Sequence, residues 1–107
     1  MKTIKIGMTQ TAEVLSVKKI QLGGKEIEVP NYIRVPLPAG GEKELTIQLS
    51  PWEKYGKVRV YTYIPEWIFL SMGYIEMTPV GTWRGYGRGS AMDRKIHEGI
   101  AEWLNEA

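Results

Sequence analysis

Arginine, glycine and aromatic side chains interleave from Gly81 to Ser90, and these residue types suit the holding of an anion. If the stretch is a loop feeding a helix that starts at Ser90, its glycines let backbone N–H groups turn toward a ligand. The helix start adds unpaired donors and partial positive charge, and Arg84 and Arg88 add bidentate donors. Phosphate is the anion such a loop suits best. Trp83 and Tyr86 would then stack on bases, a contact worth about 1 to 3 kcal/mol per base in single-strand binders. No lysine follows a Gly-x-x-x-x-Gly spacing, and Gly85-x-Gly87-x-Gly89 departs from the dinucleotide pattern, so ATP- and NAD-dependent enzymes are disfavoured. A purely structural reading competes on even terms. In it the glycines make a tight crossing, Trp83 and Tyr86 cover the core edge, and the arginines stay in water.

Lys57, Arg59, Tyr61 and Tyr63 form a second constellation, because alternate residues of a strand share one face. Open to water, that face is a platform for base stacking and phosphate contact; covered by a helix, its tyrosines are core. The segment Lys54 to Tyr61 superficially resembles the strand motif of RNA-recognition domains. Gly56 and Val58 replace the expected internal aromatics, and the β-rich first half does not supply that fold's element order, so this family is rejected.

Ser90, Asp93 and His97 are the one trio with a catalytic look. Asp93 and His97 stand one helical turn apart, where a carboxylate can orient an imidazole, but Ser90 is better placed to cap the helix than to meet the other ring nitrogen. The trio reads as a cap and a surface pair, and no enzymatic activity is expected. The chain has no Cys and one His, which removes disulfides, thiolate zinc sites, iron–sulfur clusters and cysteine nucleophiles. Neither a cofactor nor a metal is expected.

The elements that must position these residues read mainly as strands. Lys2 to Ile6, Glu13 to Leu22, Lys25 to Val35, Lys43 to Leu49 and Lys57 to Ile64 have strand-like composition or alternation. Gly23-Gly24 predicts a tight hairpin, and Pro30 predicts an edge or bulge. Ser50 to Glu53 reads as a short turn, Pro65 to Gly73 as a short buried helix, and Tyr74 to Val80 as a return strand with Ile75 and Met77 inward. Ser90 caps a helix to about Asn105 whose buried stripe holds Met92, Ile96, Gly99, Ile100 and Trp103.

With 107 residues the chain can bury one core without staples, so residues 1–107 are read as a single α+β domain. The expected architecture is a twisted, mainly antiparallel sheet of five or six strands, either open or barrel-like, with a short central helix and the C-terminal helix packed on it. No membrane span or secretory leader is recognisable, and a cytoplasmic location is expected. Net charge is +2, too small for a general polyanion trap, so any nucleic-acid contact must be local. The leading expectation is a non-enzymatic binder of single-stranded nucleic acid, DNA or RNA. Lys57, Arg59, Arg84, Arg88 and the Ser90 helix start would hold phosphates, while Tyr61, Tyr63, Trp83 and Tyr86 stack on bases. The alternative is a protein-interaction module, a homodimer or an accessory or inhibitory protein docking on a larger complex, since Trp, Tyr, Met and Arg also favour such interfaces.

Overall fold

Apolar residues recur at every second position through much of the chain, and the computed structural model, which describes residues 2–66 and 71–106, arranges them in eight strands and one helix. β1 (Thr3–Ile6), β2 (Gln10–Leu22), β3 (Lys25–Pro36) and β4 (Glu42–Thr46) form one four-stranded antiparallel sheet in sequence order. β5 (Gln48–Lys54), β6 (Lys57–Ile64), β7 (Ser71–Met77) and β8 (Trp83–Gly87) form the second in the same way, and α1 (Ala91–Glu106) completes the chain. The α+β class and the C-terminal helix agree with expectation. The strand count, the barrel-like closure and the central helix do not.

Each departure has a physical reason. Leu45, Ile47 and Leu49 alternate as if on one strand, yet the chain leaves the first sheet after Thr46 and enters the second at Gln48, with Ile47 buried between them. Alternation reports a face and carries no information about a change of partner. Ser50 to Glu53 belongs to β5 because Pro51 lies on a sheet edge, where its missing N–H breaks no ladder. Of the expected central helix, residues 67–70 lie outside the described residues, and Ser71, Met72 and Gly73 belong to β7. Among the described residues no ladder closes the sheets into a barrel; β1 and β4 edge one, β5 and β8 the other.

The β2–β3 hairpin turns at Gly23 and Gly24, the tight hairpin expected there, and their φ angles of 63° and 75° are those of a type I′ turn. Pro30 pairs with Val17 beside the irregularity expected of it: the β2–β3 register shifts between Val14 and Ser16, passing over Leu15, and again between Ser16 and Val17, passing over Asn31 next to the proline.

One hydrophobic cluster draws on both sheets and the helix, including Ile4, Ile33, Leu45, Val60, Ile75, Ile96 and Ile100. Burial of each such side chain contributes about 1.5 to 3 kcal/mol. Helix α1 bridges β1 at the edge of the first sheet and β8 at the edge of the second, and it does so at backbone distance. A Cβ on Gly99 would lie 2.1 Å from the Lys5 carbonyl oxygen, and one on Gly87 2.6 Å from the Arg94 nitrogen. Gly99 costs the helix about 1 kcal/mol relative to Ala, and the close seat on β1 is the return. Trp103, expected in the buried stripe, is half-buried, and its indole N–H donates to the Glu28 carbonyl at 3.2 Å.

Candidate functional site

The helix packs on one face of the second sheet, and strand register decides which side chains the opposite face carries. Its rows run across the strands. Nearest the β5–β6 turn stand Lys54 and Lys57; next come Trp52, Arg59, Glu76 and Arg84; then Ser50, Tyr61, Tyr74 and Tyr86; and last Gln48, Tyr63 and Met72. Arg88 continues the last row, its backbone N–H donating to the Met72 carbonyl at 3.0 Å.

The rings form a continuous series across all four strands. Trp52 meets Tyr61 edge-on at 5.9 Å between centroids, Tyr61 lies 5.6 Å from Tyr74, and Tyr74 stacks on Tyr86 at 4.9 Å and 26°. The Arg59 guanidinium sits among them, 4.4 Å over the Tyr74 ring and 5.6 Å from Trp52. It donates to the Tyr61 hydroxyl at 2.9 Å and pairs with Glu76 at 3.2 Å. Those contacts, led by the Tyr61 hydroxyl, hold its pKa above the ordinary arginine value, so it is a permanent cation fixed in the face. Among the described residues Lys54, Lys57, Arg84 and Arg88 form no ion pair. Glu76, the one carboxylate in these rows, is occupied by Arg59, so the face is locally basic although the chain is nearly neutral.

The outer face of the first sheet is built differently. Arg34 is clamped between Glu13 at 3.2 Å and Glu44 at 3.1 Å, and Tyr32 donates to Glu44 at 2.5 Å. There, charge satisfies charge within the molecule.

The structure brings Lys57, Arg59, Tyr61, Tyr63, Arg84, Tyr86 and Arg88 to one face, as the two sequence constellations required. It excludes Trp83, which points inward and is only 8% exposed. Half of the Gly81 to Ser90 stretch is strand β8, and that strand's glycines, Gly85 and Gly87, face the helix: a Cβ on Gly85 would lie 2.1 Å from the His97 carbonyl oxygen. The tight crossing is therefore the reading that holds, and the phosphate-cradling loop is withdrawn. The Ser90 hydroxyl accepts the Asp93 N–H at 3.4 Å, so its visible partner is the first turn of α1.

Two members of the face, Trp52 and Tyr74, were not among the expected site residues. Tyr74 was legible, because a strand with Ile75 and Met77 inward must turn Tyr74 outward. Trp52 was hidden by Pro51, which reads as a turn unless the strand is known to be an edge.

The catalytic-looking trio dissolves on inspection. Asp93 and His97 are buried, not a surface pair. The imidazole Nδ1–H donates to the Asp93 backbone carbonyl at 2.7 Å, which leaves Nε2 to accept from the Thr62 hydroxyl. Burial holds the pKa of His97 below the ordinary histidine value, against the opposing pull of Asp93, and the ring is a neutral bolt between α1 and β6. Among the described residues no cluster of three or more His, Cys, Asp or Glu side chains can hold a metal. No helix among them is long and apolar enough to cross a membrane. A groove of about 530 Å³ runs between β3 and the end of α1, but its one amide side chain, Asn105, is engaged by Trp83.

Comparison of the chain with protein-family models, with curated proteins and with solved structures finds no match.

Proposed function

We propose that the protein binds single-stranded nucleic acid on the outer face of its second sheet. The observation that carries this reading is the ring series Trp52, Tyr61, Tyr74 and Tyr86 across four adjacent strands, rimmed by Lys57, Arg84 and Arg88. Every base has a π-face, so a row of rings accepts unpaired bases whatever their sequence, and flexible unpaired cations beside it take the phosphates. Bases stacked inside a duplex cannot reach such a surface, which favours single strands.

The inner rings are already packed on one another, so they act as a plinth. Tyr74 has Tyr86 on one side and Arg59 above it, whereas Tyr86 stands on the edge strand and is 37% exposed. Tyr86 is therefore the ring on which the first base stacks, with Arg84 and Arg88 two residues to either side on the same strand face. Arg59 orients rings, because Glu76 and Tyr61 already occupy it.

The test is a titration with labelled single-stranded DNA and RNA at two salt concentrations, beside a duplex of the same sequence. Saturable single-strand binding, weakened by salt and by Tyr86→Ala, is the expected result. Absence of binding to both single strands, or binding indifferent to salt, rejects the proposal. Together with a gel-filtration mass of twice the monomer, such a result assigns the face to protein docking instead.

A further inference from the structure

The β5–β6 hairpin turns on Tyr55 and Gly56, with Lys54 paired to Lys57 on either side. Both turn residues have positive φ, 55° at Tyr55 and 74° at Gly56, as a two-residue type I′ turn requires. Asn, Asp or Gly ordinarily fills the first of these positions, since the left-handed region is costly for a bulky side chain. Tyr55 is the only non-glycine with positive φ among the described residues. Its side chain returns nothing to the fold: it is 91% exposed, and no ring contact or side-chain hydrogen bond among the described residues involves it. A strained backbone carrying an unpacked ring points to a contact outside the molecule.

The position of the turn suggests what that contact is. The Lys54–Lys57 row adjoins the row of Trp52 and Arg59, so Tyr55 lies just past the end of the basic aromatic face, on the side to which the ring series slants. From Tyr86 to Trp52 the series crosses three interstrand spacings, about 14 Å, and shifts by one row toward this turn. Resting on the nucleic-acid reading above, we infer that Tyr55 stacks on a further base of the same single strand, with Lys54 and Lys57 taking the phosphates on either side. The binding track then runs diagonally from the β8 edge to the β5–β6 turn.

The turn allows a clean variant. Tyr55→Asn creates Asn-Gly, the preferred type I′ pair, so its thermal unfolding midpoint should equal or exceed that of the wild type, and lost binding cannot be put down to lost fold. Affinities of wild type, Tyr55→Asn and Tyr55→Trp are measured on oligothymidylates and oligouridylates of increasing length. On long oligomers Tyr55→Asn should bind about fivefold or more weakly, with Tyr55→Trp restoring affinity. On oligomers too short to span the track the three proteins should be equal. If wild type binds but Tyr55→Asn matches it at every length, the inference is overturned while the single-strand reading survives. If wild type binds no oligomer, both fall together.

Discussion

Gly85 lies directly under the backbone of His97, so close that a methyl group on Gly85 would sit 2.1 Å from the His97 carbonyl oxygen and 2.3 Å from its carbon. The atoms in the way are main chain of a helix and have no rotamer to change. The separation between α1 and β8 is thus set by the absence of a side chain on β8. The tyrosines and arginines of the opposite face inherit their positions from a strand that this contact holds in place.

Gly85→Ala should accordingly destabilise the protein at the upper end of the overpacking range, about 3 kcal/mol or more. Urea unfolding would show this as a lower midpoint. A change below 1 kcal/mol would mean that α1 can lift from β8 at little cost, contrary to the packing described.

Asn105 closes the free edge of β8. Its side-chain oxygen accepts the Trp83 N–H at 2.6 Å and its amide donates to the Trp83 carbonyl at 2.9 Å, the pair of bonds a neighbouring strand would make. Asn105→Ala should cost about 1 to 3 kcal/mol, and hydrogen exchange at the Trp83 amide should accelerate. Unchanged exchange at that amide is the contrary outcome.

His97 gives stability a pH dependence of defined sign. Its pKa is lowered in the folded protein, chiefly by burial, so the unfolded chain takes up the proton first as pH falls. Stability is full above the ordinary histidine value of 6.5 and declines below it, toward the lower folded value. Glu44, held below the ordinary carboxylate value by hydrogen bonds from Tyr32 and Arg34, loses its contribution only at lower pH, so the first decline belongs to His97. His97→Gln should be less stable throughout but flat across the window just below 6.5. A decline of the same size in that variant would move its origin elsewhere.

Arg84 and Glu76 are opposite one another in register, yet Glu76 is paired with Arg59, which leaves Arg84 for a ligand. Arg84→Gln should lower the slope of log affinity against log salt by about 0.7 for single strands, the contribution of one phosphate contact. Arg34→Gln, on the charge-paired face of the first sheet, should leave that slope unaltered. Equal effects of the two substitutions would place binding elsewhere.

Much of this arrangement was readable in the order of residues. Alternation from Lys57 to Ile64 already separated Val60, Thr62 and Ile64 from Arg59, Tyr61 and Tyr63. Gly23-Gly24 marked its turn, and the 3.6-residue stripe with Ser90 before it marked α1. These signals are local, because the side on which a residue emerges depends on a few backbone angles around it.

What only the folded chain decided is who stands beside whom. The run through Ile47 changes sheet without a break in its rhythm, Pro51 is harmless because nothing pairs beyond it, and Trp83 turns inward while Tyr86 turns out. The glycines of β8 belong to a helix that begins several residues later, and Arg59 belongs to a glutamate opposite it on the next strand. Such partners are chosen by which surfaces meet when the core closes, and a period of two residues along one strand contains no record of its neighbours.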